Sequence, residues 1–440
     1  MHLNALLDVD VVAVEAEDEL SILLELQAPV SATQAARPPR TLQVVLDRSG
    51  SMAGPPLESA KRALHDLVGR LRPEDRFGLV TFDDQVQVVV PCTPVGDRTA
   101  ARHAIAGVHP GGMTNLSSGL IRGIEQARDA KGDGGATVLL LSDGHANAGQ
   151  TDPDALGAYA ARCRADGMTL GTIGIGLGYD ERLLSAVAAG GAGNVHFAEE
   201  PDAIGAALAD EVDGLLEQVV QAASLTVRPG DAVRSVTLFN DLPVSEVDGG
   251  FRVELGDFGS GEDRRLLLRA EIPALADLGL AEVCRLGLRW TDVETMTTQT
   301  VDVPVHVGVV PGDVAKGRVP KPEVQTEYVF QATQRSRKEA AEALRRGDRS
   351  RAAYLLADAG ATLHAAVAGA PASMADELQQ EATQFLSDAD AAMVDDLARN
   401  AKRQEASYGM NTRKRRAMQD ADARRAGRRG GDGTGDGKFG

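Results

Sequence analysis

The sequence predicts an α/β protein built on a doubly wound, mostly parallel six-stranded sheet, joined to an antiparallel β-sandwich and a C-terminal α-helical region. Three observations predict it. Between residue 41 and about residue 221, apolar runs of strand length alternate with amphipathic stretches of helix length, the pattern of a parallel sheet covered by helices on both faces. From 222 to 310 the apolar period changes to two, punctuated by Gly, Asp and Pro, as antiparallel strands require. Beyond 323 apolar residues recur at three- and four-residue spacing, the period of helices.

Residues 1–40 begin with the alternating runs VDVVAVEA and SILLELQAP, which face a core on one side and need partner strands. They are expected to join the β-sandwich, making the α/β domain, 41–221, an insertion between its strands. Within that domain strands are expected at 42–47, 76–82, 86–91, 136–142, 169–175 and 194–199. Helices are expected near 57–71, 99–107, 115–130, 154–166, 181–189 and 202–220. Asp83-Asp84-Gln85 is too short for a helical crossover, so strand 86–91 should run antiparallel at an edge. Right-handed crossovers elsewhere put a ligand crevice at the carboxyl ends of the central strands.

The sandwich, 222–310, contains SLTVRP, RSVTLFN, GFRVEL, RRLLLRAEI, CRLGLRW and TQTVDVPVHV. A Pro-rich linker, 311–323, leads into a helical hairpin or bundle, 324–400, with apolar positions at Ala340, Ala341, Ala343, Leu344, Ala352, Leu356 and Leu363 around a Gly347-Asp348 break. A further helix near 373–398 carries Met374, Leu378, Phe385, Leu386, Met393 and Leu397 on one face. This region reads equally as a partner-binding hairpin or as a bundle packed on its own sandwich, since one hairpin is below the roughly three repeats of an independent solenoid. Residues 401–440 read as a basic, Gly-rich, largely disordered tail, whose run TRKRR is a solvated face suited to an acidic surface.

Bulk properties narrow the function classes. At 440 residues the length suits two to four domains, and 43% apolar with 25% charged residues is ordinary globular composition. The net charge is −18; the last 40 residues hold eleven Lys or Arg against five Asp or Glu, so the tail is about +6 and the body about −24. Such an acidic body disfavours nucleic acid as a partner. Residues 1–26 lack a basic leader, and acidic residues interrupt them, so no signal peptide or membrane span is expected and the predicted location is cytoplasmic. Cys92, Cys163 and Cys284 form no close pair, which argues against a disulfide framework or a zinc ribbon.

The chemistry-bearing stretch is VVLDRSGSM, 44–52, where an apolar strand ends in one carboxylate and two hydroxyls spaced two residues apart. Asp47, Ser49 and Ser51 can converge on one point in a turning loop, and converging hard oxygen donors suit a hard divalent cation. Three donors are too few for an octahedral shell, so others should come from neighbouring strand ends. Thr114, in the Gly-rich loop HPGGMTN, and Asp143, which ends the run TVLLLSD as Asp47 ends its own strand, occupy those places.

With these five positions in order, residues 41–221 resemble a von Willebrand factor type A domain of the bacterial multidomain type, with Rossmann-like winding. DRSGSM is similar to that family's D-x-S-x-S motif, Thr114 to its loop threonine and Asp143 to its second aspartate; Met113 interrupts what is commonly a Gly-Gly-Thr run. The resemblance implies a metal-ion-dependent adhesion site. There Ser49, Ser51 and Thr114 coordinate Mg²⁺, with Mn²⁺ or Ca²⁺ as substitutes, and Asp47 and Asp143 act directly or through water. A protein partner's Asp or Glu completes the shell. The implied role is a non-enzymatic adaptor or assembly subunit. The alternative is a structural scaffold whose C-terminal helices bind the partner and whose metal only stabilises the loops.

Simpler and rival readings concern the same residues. Ser49 or Ser51 could cap the following helix, which accounts for one hydroxyl only. A serine nucleophile needs a histidine base, and none of the histidines lies in a G-x-S-x-G or H-E-x-x-H pattern; His145, two residues past Asp143, sits where the rim of the site is expected. The run GIGLG, 174–178, has Tyr179 where a dinucleotide fingerprint wants its third glycine.

Overall fold

In a computed structural model that describes residues 1–30, 38–132, 134–242 and 244–413, the chain opens with strands β1 (His2–Leu7), β2 (Val11–Ala13) and β3 (Asp18–Gln27). β3 is amphipathic: Leu20, Ile22, Leu24 and Leu26 are buried on one face, and Leu23 is also fully buried, so both faces of its middle are covered. What covers them arrives much later in the chain.

The inserted α/β unit comes first. It runs β4 (Thr41–Asp47), α1 (Pro55–Arg70), β5 (Arg76–Phe82), β6 (Val86–Pro94), α2 (Thr99–Ala106), α3 (Leu116–Ala130), β7 (Ala136–Ser142), α4 (Pro153–Ala165), β8 (Met168–Ile175), α5 (Glu181–Gly190), β9 (Ala192–Ala198) and α6 (Ile204–Leu216). The sheet order is β6-β5-β4-β7-β8-β9. All neighbours are parallel except β6, which pairs antiparallel with β5 at the edge, as the three-residue connection dictates. Val44, Val45 and Leu46 of β4 and Leu139, Leu140 and Leu141 of β7 are fully buried. Each contributes about 1.5–3 kcal/mol of burial, so the centre of the sheet is strongly stabilised. Helix α3 approaches this centre through glycines: a Cβ at Gly119 would lie 2.5 Å from the Phe82 ring.

The sandwich follows as β10 (Gln218–Pro229), β11 (Ser235–Leu238), β12 (Val244–Val247), β13 (Gly250–Gly259), β14 (Asp263–Ile272), β15 (Gly279–Asp292) and β16 (Thr297–Val310). One sheet has the order β1-β3-β14-β11 and the other β12-β13-β10-β15-β16-β2. β3 is therefore paired along its length with β14, and β2 runs parallel to the end of β16. The helix expected at 202–220 ends at Leu216, because Gln218 and Val220 already pair with β13.

A short helix, α7 (Gly312–Ala315), lies in the linker, which is pinned to the N-terminal strands: Arg318 pairs with Asp18, and Lys321 Nζ lies 2.6 Å from Asp10 Oδ1. Helices α8 (Pro322–Arg345), α9 (Arg349–Val367), α10 (Ala372–Val394) and α11 (Leu397–Arg413) form a bundle around Leu344, Leu356, Leu363, Leu378 and Phe385. Met374, Leu378 and Phe385 share the buried face of α10, whereas Leu386 and Met393 stay 44% and 50% exposed, since one residue past Phe385 is a turn of about 100°. Val324 of α8 packs on Leu23 and Leu267, so the bundle sits on its own sandwich. The tail expected from 401 is corrected for 401–413, which are helical; the rest of that tail and residues 31–37 lie outside the described residues. Among the described residues no helix is long and apolar enough to cross a membrane.

Candidate functional site

The sheet changes winding direction between β4 and β7: the chain passes from β4 outward to β5 and β6, then returns to β7 on the other side. Their carboxyl ends diverge at this point and leave a crevice, where ligands of open α/β sheets bind. Asp47 ends β4 in register with Phe82 of β5, and Asp143 directly follows β7.

Backbone and side-chain hydrogen bonds aim both acids. Asp47 Oδ1 accepts from Ser49 N at 2.8 Å, a local turn that folds DRSGSM back on itself, and Asp47 Oδ2 accepts from Ser142 Oγ at 2.7 Å. Ser49 and Ser51 Oγ lie 3.1 Å apart, and Ser51 Oγ donates to Asp143 Oδ1 at 2.7 Å. Four of the five sequence-singled side chains thus form one chain of contacts. Thr114 faces it across Gly144: a Cβ built there would lie 3.5 Å from Thr114 Oγ1 and 3.6 Å from Ser51 Oγ.

Three loops are sewn together around this cluster. Gly111 N donates to Arg48 O at 2.7 Å and Gly50 N to Gly112 O at 3.0 Å. Thr114 N donates to Asn147 Oδ1 at 3.0 Å, while Asn147 N donates to Thr114 O at 3.2 Å, so Asn147 clamps the threonine from both sides. Met113 points outward, 62% exposed, while Thr114 is buried; the inserted residue is taken up by the loop without displacing the hydroxyl from the crevice. Asn115 caps α3 by accepting from Ser118 N.

Sequence reasoning missed Ser142, Asp83 and Asn147. Asp83, at the end of β5, accepts from Gln85 N and Gly112 N and pairs with Arg48. Burial pushes its carboxyl up, but those two N–H groups and the Arg48 charge outweigh it and hold the pKa low. The signal that could have found Asp83 and Ser142 is their position, since both sit at carboxyl ends of strands adjoining β4.

The electrostatics fit a cation. Burial raises the pKa of Asp47, against hydrogen bonds from Ser142 and Ser49. Burial also pushes Asp143 up to about 6, against its bond from Ser51 and with added repulsion from Asp47. Among the described residues no Lys, Arg or His pairs with either carboxylate, and no cluster of three or more His, Cys, Asp or Glu forms a site elsewhere. Two buried acids with three hydroxyls and no protein cation are a hard-oxygen donor set, chemically matched to a hard divalent cation rather than to a soft metal.

The rival readings concern the serines, His145 and the GIGLG run. Neither serine hydroxyl hydrogen-bonds a histidine among the described residues, and His145 is 69% exposed with Nδ1 3.7 Å from Asp180 Oδ2. Ser49 precedes a short turn but makes no side-chain capping bond. Two of the GIGLG glycines are explained by packing, since Cβ atoms at Gly174 and Gly178 would lie 2.5 Å from the Tyr179 ring and 2.7 Å from Asp143 O; Gly176 has a φ of +64° with open space around it.

An open sheet with an acid-and-hydroxyl cluster at its switch point defines a class of α/β binding domain. Residues 42–210 match the family model of the von Willebrand factor type A domain, and the chain carries a domain of that family. It is similar to an uncharacterized protein of Synechocystis sp., 29% identical over 343 residues that cover 74% of this chain and 79% of the relative. Its fold is similar to a von Willebrand factor type A protein from Catenulispora acidiphila, with TM-score 0.71, 15% identity and coverage of 94% of this chain and 97% of that one. It is also similar to VWA2, an ArnB paralog from Sulfolobus acidocaldarius, with TM-score 0.60, 13% identity and coverage of 94% and 99%. At 94% coverage the two structural likenesses extend over the sandwich and the helical bundle as well as the α/β domain.

Proposed function

We propose that the protein is a non-enzymatic, Mg²⁺-dependent protein-recognition module, acting as an adaptor or assembly subunit. One observation carries this reading: Asp47 and Asp143 are buried side by side with the Ser49, Ser51 and Thr114 hydroxyls and have no cationic side chain as partner. Ser49, Ser51 and Thr114 would hold the ion with Asp47 and Asp143; Mn²⁺ or Ca²⁺ are substitutes. A bound Mg²⁺ supplies a hard, incompletely neutralised charge that attracts a carboxylate. The residues of this chain do the rest. Ser142 and Ser49 N orient Asp47, Asn147 holds Thr114 at the crevice, and Asp83 fixes the loop that carries it. The ligand that fits is an Asp or Glu side chain of a protein partner. A cytoplasmic location is part of the same reading, supported by three free, buried cysteines.

Calorimetric titration with Mg²⁺, followed by partner capture in Mg²⁺ and in EDTA, tests this. Wild type is expected to bind one Mg²⁺ and to retain its partner only with Mg²⁺ present, whereas Asp47→Ala and Thr114→Ala lose both properties. Equal Mg²⁺ binding by wild type and Asp47→Ala overturns the reading. Capture that ignores EDTA and disappears on deletion of 324–413 supports the scaffold alternative instead.

A further inference from the structure

The bundle's last helix docks beside this site, against the loop that follows β8. Lys402 of α11 is only 4% exposed, and its Nζ donates to Tyr179 O at 2.5 Å, lies 3.9 Å from the centre of the Tyr179 ring and 3.4 Å from Glu181 Oε2. Burying an ammonium is expensive unless each of its protons finds a partner; here a carbonyl, an aromatic face and a carboxylate provide them. Neighbouring cations anchor the same edge of the sheet. Arg345 of α8 lies 3.1 Å from Glu181 and 2.9 Å from Glu405. Arg399 and Arg403 lie 3.2 and 3.0 Å from Glu199, which follows β9.

The gripped loop is in direct contact with the site. Tyr179 is buried, its ring packed on Gly174 and tilted against Phe197. The preceding residue, Gly178, passes so close to Asp143 that a Cβ would lie 2.7 Å from the Asp143 main-chain oxygen. Asp180, the next residue after Tyr179, caps α5 and faces His145. The path Lys402, Tyr179, Gly178, Asp143 is therefore continuous, with a buried charge at one end and a candidate cation donor at the other.

We propose that Lys402 is a positioning residue for the cation site: it fixes the 176–180 loop, the loop backs Asp143, and the site's affinity therefore depends on the docking of the helical bundle. This rests on the reading of Asp143 as a cation donor. An ordinary packing contact does not account for the choice of residue. An apolar side chain would fill the same space without the desolvation cost, but would leave Tyr179 O without its donor and Glu181 without this ammonium.

The test uses the full chain and Mn²⁺ as probe, with free ion counted by electron paramagnetic resonance. Wild type is expected to bind Mn²⁺, Asp47→Ala to bind none, Lys402→Met to bind about tenfold more weakly or worse, and Lys402→Arg to stay within about threefold. Coupling is reciprocal, so Mn²⁺ should slow hydrogen exchange within 397–413 in wild type and not in Asp47→Ala, an effect that mere packing by Lys402 does not produce. If Lys402→Met does not fold, the double variant Arg399→Ala/Arg403→Ala, at half-exposed positions, carries the same expectation. Wild-type protein that binds no Mn²⁺ overturns the cation reading and this one with it. Wild-type binding, together with unchanged affinity in the Lys402 or arginine variants or with Mn²⁺-indifferent exchange in α11, overturns the positioning role alone.

Discussion

Ser51 Oγ donates a 2.7 Å hydrogen bond to Asp143 Oδ1 across 92 positions of the chain. That bond joins the loop after β4 to the loop after β7, and it does so at a carboxyl group that burial has already made reluctant to ionise. The same group that a cation would use is therefore one the fold holds at some cost, and the first two predictions follow from that conflict.

Replacing Asp143 by Asn should stabilise the α/β domain in EDTA at pH 7. The folded-state pKa of about 6 lies above the ordinary carboxylate value of 3.8. Ionisation thus opposes folding: the contribution of this one group to stability is fully present below pH 4 and is lost as the pH rises through the window from about 4 to 6. Asn removes this penalty, on the order of 1 kcal/mol after screening by solvent, and keeps an acceptor for Ser51. Melting curves in EDTA should shift upward, while the further upward shift that Mg²⁺ produces in wild type should vanish. A lower melting point in EDTA contradicts the account.

Proton and cation should compete at the same oxygen atoms. Mg²⁺ affinity is expected to be nearly level above pH 7 and to fall below about pH 6, approaching about tenfold per pH unit for one displaced proton. Titrations at pH 5, 6 and 7.5 measure this directly. An affinity independent of pH would exclude Asp143 from the donor set.

Ser142→Ala should leave the fold intact and weaken Mg²⁺ binding by about 10- to 100-fold, because Asp47 Oδ2 loses the donor that orients it. Circular dichroism establishes the fold and calorimetry the affinity. Unchanged affinity would mean that the Ser49 N–H bond alone sets the rotamer of Asp47.

Arg337→Met tests the bundle rather than the site. Arg337 is nearly inaccessible and pairs with Asp388 at 2.6 Å and Glu381 at 2.9 Å, with its guanidinium stacked 4.0 Å from the Phe385 ring centre. Removing it strands the buried Asp388 carboxylate, at about 3–5 kcal/mol. Denaturant unfolding should show that loss in the bundle. A change below about 1 kcal/mol would contradict this account of the buried pair.

The candidate site was legible to the extent that its donors end strands. DRSGSM, Thr114 and Asp143 each follow an apolar run or open a helix, so periodicity placed them at the carboxyl ends of the central strands. Ser142 and Asp83 occupy equivalent strand ends but were passed over, because a single serine beside an aspartate and an acid in a short turn look like ordinary loop chemistry. Asn147 was not legible at all; its two bonds to Thr114 depend on how two loops meet.

The basic character of 401–413 misled in a specific way. Read alone, Lys402 and Arg403 suggested a solvated tail, since charges without visible partners belong in water. Their partners, Tyr179 O and Glu199, lie some 200 residues away, on the edge of a different domain.

What the sequence by itself determined is the class of each segment and the set of candidate oxygen donors, because hydrophobic period and strand-end position are local properties of the chain. Only the tertiary structure decided which acids share a crevice, that β14 covers β3, and that α11 reaches the rim of the site. Those relationships are set by packing between segments far apart in sequence, where burial and pairing select one partner among many that local patterns permit equally.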